Sequence, residues 1–138
     1  MIRIFTHVGL DPRAGGGVAA YVRNLAAVFS ASGRRYEILN VSQFSKFLML
    51  IAFFRYFSFR GTILLNSAFH PFSLLMILFS RSKNLIVMPH GEFLSAALEL
   101  NKRKKLTVLR ILKWLTTYFG ASGHVTIVAA SEAEANNF

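Results

Sequence analysis

Short apolar runs and longer apolar stripes alternate along the whole chain. Ile2, Ile4 and Phe5 through Val8 read as a first strand, followed by a loop over 9–17. A helix comes next, with Val18, Tyr21, Val22, Leu25 and Phe29 on one face at helical spacing and Arg23 and Asn24 opposite. Gly33 is its stop signal. Tyr36–Val41 predicts a second strand, 44–57 a second helix and Thr62–Asn66 a third strand. Pro71–Phe79 is a helix begun by proline at an early position. Asn84–Met88 predicts a fourth strand, Asn101–Phe119 a long helix and Val125–Ala130 a fifth strand. Ser131 then caps a final helix.

The strands are continuous apolar runs rather than alternating patterns. Strands of that kind, with helices between them, predict an α/β fold: a Rossmann-like parallel sheet with helices on both faces. The segment 44–57 stands out, because Phe47, Leu48, Leu50, Ile51, Phe53, Phe54 and Phe57 leave it no polar face. Such a helix is deeply buried or touches lipid.

Composition narrows the picture. A length of 138 residues suits one core rather than two. Hydrophobic residues make up 54% and charged residues 16%, which agrees with strands buried on both faces. With no cysteine there is neither a disulfide framework nor a thiolate metal site, and the composition suits a reducing cytoplasm. No signal peptide is evident at the start. The longest apolar run, Phe47–Phe54, has eight residues, against about 20 for a membrane span. Residues 131–138 read as two turns of a helix without a stop signal, so the chain is expected to be the amino-terminal part of something longer.

A formal charge of +10 points to an anionic partner, the alternative being a basic half whose missing half is acidic. Lys102, Arg103, Arg110 and Lys113 share one sector of the long helix, and Val108, Ile111, Leu112, Leu115, Tyr118 and Phe119 fill the other side. Trp114 stands at the border. Cations in the first turns oppose the helix dipole, so helix stability does not explain them. The stripe is either a solvated outer face or a surface for peripheral contact with anionic lipid on the inner face of the cell membrane. Nucleic acid is not expected, since the aromatics are not interleaved with the basic run.

The candidate chemistry lies in the loops. Gly15, Gly16 and Gly17 precede a helix, where backbone N–H groups can approach an anion; the alternative is a turn needing positive φ. The spacing Gly15-x-Gly17-x-x-Ala20 is a poor dinucleotide fingerprint. Six residues separate Val8 from Gly15, and no acidic residue ends the second strand. Of the four histidines, His90 follows the carboxyl end of a strand, where ligands bind in α/β sheets. By itself it is either a turn residue or a functional group. His7 closes the first strand in a comparable position, His70 reads as a turn or cap residue, and His124 opens the fifth strand. No histidine spacing predicts a metal site. Glu132 and Glu134 suit the start of the last helix, and Glu132 lies close enough to a strand end to face a cleft. Neither a nucleophile elbow nor an acidic pair supports a hydrolase.

Four segments carry a family resemblance across nearly all of the chain: Gly15-Gly16-Gly17-Val18; Leu65-Asn66-Ser67 through Pro71-Phe72-Ser73; Pro89-His90-Gly91-Glu92-Phe93-Leu94-Ser95-Ala96-Ala97-Leu98 with Lys104-Lys105; and Ala130-Ser131-Glu132-Ala133-Glu134. Together they resemble the amino-terminal domain of a family 4 glycosyltransferase with the GT-B fold. The resemblance implies an acceptor-side domain facing a donor-binding domain across a cleft. It also implies a nucleotide-sugar co-substrate, retention of anomeric configuration, and no bound metal. His90 would sit beside the transferred sugar. Gly15, Gly16, Gly17, Asn66, Gly91, Glu92, Ser131 and Glu132 would line the substrate site. The second domain of that family is absent from these 138 residues, so the chain alone is expected to be inactive. A non-catalytic Rossmann-like module that binds an anionic ligand or membrane is the alternative.

Overall fold

The computed structural model describes residues 1–11, 16–90, 92, 102–120 and 125–137. Its elements are β1 (Ile2–Thr6), α1 (Gly17–Ala31), β2 (Tyr36–Asn40), α2 (Lys46–Phe57), β3 (Thr62–Leu65), α3 (Pro71–Phe79), β4 (Asn84–Val87), α4 (Lys102–Gly120), β5 (Val125–Ile127) and α5 (Glu132–Asn137). The five strands form one sheet in the order β2-β1-β3-β4-β5. Every pairing is parallel. This is the expected Rossmann-like α/β architecture with helices on both faces. β1 and β5 are shorter than their apolar runs, which continue as loops past the strand ends.

Register explains why the strands read as unbroken apolar runs. One row across the sheet is Leu39, Phe5, Leu65, Val87 and Ile127. It packs against Ala52 and Tyr56 of α2, Phe72 and Met76 of α3, and Leu109 and Leu112 of α4. The next row is Ile38, Ile4, Leu64, Ile86 and Thr126, and its first members pack against Val22, Tyr21, Leu25 and Phe29 of α1. Successive residues therefore face different helices, and both rows must be apolar. α1 does not reach the far end of its row. A depression of ≈ 340 Å³ remains over Thr62, Leu64, Asn84, Ile86 and Thr126.

Local signals set the helix ends. Gly16 is the N-cap of α1 at φ 117, a backbone conformation that favours glycine. After α1, Gly33 adopts φ 66, and the next N–H, of Arg34, bonds back to the Phe29 carbonyl at 2.9 Å. Ser45 caps α2 by accepting from Leu48 N–H. His70 caps α3 through Nδ1, which accepts from Phe72 N–H at 3.2 Å.

Of the two readings of 44–57, deep burial falls away: α2 tucks Ala52 and Tyr56 under the sheet and leaves Phe47, Leu48, Leu50, Ile51 and Phe54 exposed. One expectation about α4 needs correction. On α4, Ile111 and Tyr118 were expected inside but are exposed, while Leu109 and Leu112 are buried. α4 packs on β5, the edge strand, so only a narrow stripe of it finds cover.

Candidate functional site

Each strand hydrogen-bonds one step past its own end. Asn66 N–H donates to the Phe5 carbonyl at 3.1 Å, Met88 N–H to Leu65 at 2.8 Å, and Val128 N–H to Val87 at 2.9 Å. The first residues after β3, β4 and β5 are thereby laid side by side at the carboxyl edge of the sheet, where α/β proteins bind ligands.

Asn66 and His90 meet there. The His90 Nε2 lies 2.9 Å from Asn66 Oδ1. Asn66 is buried, and its Nδ2 donates to the Phe5 carbonyl at 3.1 Å, which fixes the amide orientation. Oδ1 can only accept, so the proton between the two side chains belongs to His90 Nε2. For a neutral ring this leaves Nδ1 as the acceptor. Burial holds His90 below the ordinary imidazole value, partly opposed by the negative charge of Glu134. The neutral tautomer is therefore favoured. Among the described non-glycine residues, His90 alone has positive φ, at 50°. It opens a turn closed by Glu92 N–H onto the Pro89 carbonyl at 3.1 Å. Such a conformation costs on the order of 1–2 kcal/mol outside glycine, and residues held this way cluster at functional sites.

Glu92 braces the site from behind. Its carboxylate accepts from the Ser67 hydroxyl at 2.6 Å, from Ala68 N–H at 2.5 Å and from Phe69 N–H at 3.4 Å. One side chain of the β4 loop thus ties down the whole β3–α3 turn that begins at Asn66. Burial raises the Glu92 carboxyl above its ordinary value. The three hydrogen bonds and the nearby His7 work in the opposite direction. His7 and His70 stack beside this brace with ring centres 5.5 Å apart. Burial and the neighbouring His7 lower the His70 imidazole, which keeps Nδ1 unprotonated as its capping role requires.

α1 and α5 complete the wall. Tyr21 sets its ring edge-on to His90 at 4.8 Å and donates its hydroxyl to Met88 Sδ at 3.3 Å. Glu134 is fully buried and accepts from Ala130 N–H at 2.8 Å. Its own N–H donates to Ser131 Oγ at 3.2 Å. This arrangement resembles a capping box. A cleft of ≈ 350 Å³ opens between Tyr21, Met88, His90, Val128, Ala129 and Ala130. Compared with protein-family models, curated proteins and solved structures, the chain finds no match.

The expected site residues divide into three sets. Asn66 and His90 are bonded to each other, and Glu92 bonds the turn that follows Asn66. Gly16 and Gly17 stand exposed at the start of α1, and a Cβ on either would meet nothing within 4 Å. Only Gly16, with its positive φ, requires glycine for backbone reasons. Ser131 and Glu132 are exposed, Ser131 serving as the α5 cap and Glu132 standing in its first turn. The inward carboxylate is Glu134, not Glu132. Gly15, Gly91 and His124 lie outside the described residues, as does the side chain of Lys102. Arg103, Arg110 and Lys113 are exposed on α4.

Sequence reasoning missed Tyr21, Ser67 and Glu134 as site residues. The Ser131-x-x-Glu134 spacing was a usable signal for the last of these. Chemically, the ring of His90 offers a neutral acceptor nitrogen in a half-apolar cleft. Glu92 already holds three donors and is a brace rather than a base.

Proposed function

We propose that the chain is the acceptor-side half of a retaining, nucleotide-sugar-dependent glycosyltransferase of the GT-B kind, acting on a saccharide or lipid-linked acceptor. The observation that carries this reading is the Asn66–His90 pair at adjoining strand ends, held in the left-handed conformation at the mouth of the cleft. Sugar transfer breaks the bond from the anomeric carbon to a phosphate oxygen and forms one to an acceptor hydroxyl oxygen, with the nucleoside diphosphate leaving and taking up the hydroxyl proton. Positive charge builds on the sugar ring as it does so. A neutral imidazole with a free lone pair suits such a site, because it orients a hydroxyl without adding positive charge. The Asn66 amide would fix that tautomer, and Tyr21 would offer the sugar an apolar edge. The glycines before α1 would stand near the donor diphosphate or acceptor, as the resemblance implies, and the donor itself would be held mainly by a second domain.

A donor screen on the full-length gene product tests this, with labelled nucleotide sugars and a lipid-linked saccharide acceptor. Transfer should appear with one donor, and Asn66→Ala and His90→Ala should each lower it at least tenfold. Full transfer by both variants would refute the assignment of the site. The charge of +10 favours a second reading, a non-catalytic module for an anionic ligand. Nucleotide binding with no turnover of any donor would select it.

A further inference from the structure

We propose that the outward face of α2 and α3 is a membrane-docking surface that inserts into an anionic bilayer. The inference is independent of the sugar-transfer reading. Phe47, Leu50 and Phe54 lie along the outer side of α2, at a helical spacing of three and four. Leu75 and Phe79 do the same on α3. Phe47 is 69%, Phe54 64% and Phe79 52% exposed. The two helices pack against each other, and an apolar groove of ≈ 260 Å³ runs between them. Together these five residues expose on the order of 500 Å², comparable with the ~300–600 Å² of the largest patch on a typical monomer, a patch that is often functional.

Charge identifies the occupant. No carboxylate occurs between Glu37 and Glu92, while Arg60, Arg81 and Lys83 in that span are exposed; Arg55 is exposed too but pairs with Glu37 at 3.2 Å. Arg81 stands over the Phe57 ring at 5.3 Å, at the rim of the apolar face. α4 lies on the same side of the sheet and adds exposed Arg103, Arg110 and Lys113, with Trp114 stacked on Tyr118 at 5.7 Å. A second copy would bring another +10 against this one. An apolar helix face bordered by cations, with further cations and an indole on the same side of the sheet, fits acyl chains beneath acidic headgroups.

The test is co-sedimentation with vesicles of phosphatidylcholine alone and of phosphatidylcholine with phosphatidylglycerol at about 7:3. The chain should bind the anionic vesicles at least tenfold more tightly. Phe54→Ser with Phe79→Ser should weaken that binding about tenfold or more, and Arg103→Gln with Arg110→Gln should weaken it severalfold. Circular dichroism confirms that these surface variants fold. In a Trp114→Phe background, a tryptophan placed by Phe54→Trp should be quenched by lipids brominated in their acyl chains. Equal binding to both vesicle types, or unchanged binding by the double Phe variant, overturns the proposal. So does an unquenched Phe54→Trp. A chain that sediments as a dimer in solution, and becomes monomeric in the double Phe variant, would assign the face to a second copy instead.

Discussion

Removing the Glu92 carboxylate should loosen the candidate site more than any other single truncation behind the cleft. In Glu92→Ala three donors lose their acceptor: the Ser67 hydroxyl, Ala68 N–H and Phe69 N–H. Ser67 can reorient, and the Phe69 bond is the long one, so the main loss is at buried Ala68. A stranded buried N–H costs about 1–3 kcal/mol, and the weakened Ser67 and Phe69 bonds add about 1 more. The expected total is about 3 kcal/mol, or roughly 10 °C in Tm for a chain of this size. Glu92→Gln keeps one carbonyl for Ala68 and sheds the cost of burying a charge, so it should lie within about 1 kcal/mol of the parent.

The two variants also separate burial from bonding by their response to pH. Because the folded state raises the Glu92 carboxyl, the native chain holds this proton more tightly than the unfolded chain does. That contribution is fully present below the ordinary carboxylate value and is lost as pH rises through the raised one. Glu92→Gln lacks this dependence and should gain on the parent as pH increases. Urea melts at several pH values between about 4 and 8 would measure both effects. A Glu92→Ala cost under about 1 kcal/mol, or a parent that gains on Glu92→Gln as pH rises, would refute the brace.

Burial lowers the imidazoles of His70 and His90, so their contribution is present above the ordinary histidine value and lost as pH falls below it. Tm should therefore drop from pH 7.5 to pH 5.5. His70→Asn, which keeps a capping side chain, should show a smaller drop by calorimetry. Gly61→Ala would push a Cβ into the Phe59 ring and to 2.7 Å from the Met1 carbonyl oxygen; a loss of about 2 kcal/mol is expected in denaturant melts. Arg3 lies between the rings of Tyr56 and Phe59 at 4.3 and 4.2 Å, and its Nε donates to Glu37 at 3.0 Å. Arg3→Met should cost about 1–2 kcal/mol and, unlike loss of an exposed pair, should change little when the melt is repeated in 1 M salt.

The fold was legible in the sequence because one constraint acts on every strand residue. Ile4 and Phe5 face opposite helix layers, so both must be apolar, and that pattern survives without any knowledge of topology. What α2 does with its second apolar face was not legible. An all-apolar helix is compatible with two burials or with one burial and an exposed face, and only the placement of its neighbours decides. The site was half legible. Strand-end position singled out His90, and the family resemblance added Asn66 and Glu92; all three meet because the carboxyl edge of a parallel sheet is shared by its loops. Tyr21 and Glu134 were hidden because each does structural work on a helix, one in the packed stripe and one at the cap. Their approach to His90 depends on tertiary angles that periodicity does not encode.

The strand order also constrains how the protein is made. β1 leaves the ribosome before the other four strands, yet it ends up inside the sheet with β2 on one side and β3 on the other. Synthesis therefore builds outward from an early seed, adding β3, β4 and β5 in turn to a single growing edge. Tyr21 and His7 are in place early, Asn66 next, His90 and Glu92 later, and Glu134 at the end. A nascent chain carries a competent sheet edge for much of its synthesis but owns a complete cleft only after β5 has docked. Until then the growing sheet edge is unpaired, and the apolar α2–α3 face is open from the moment it forms, which makes the half-made chain a natural client for chaperones.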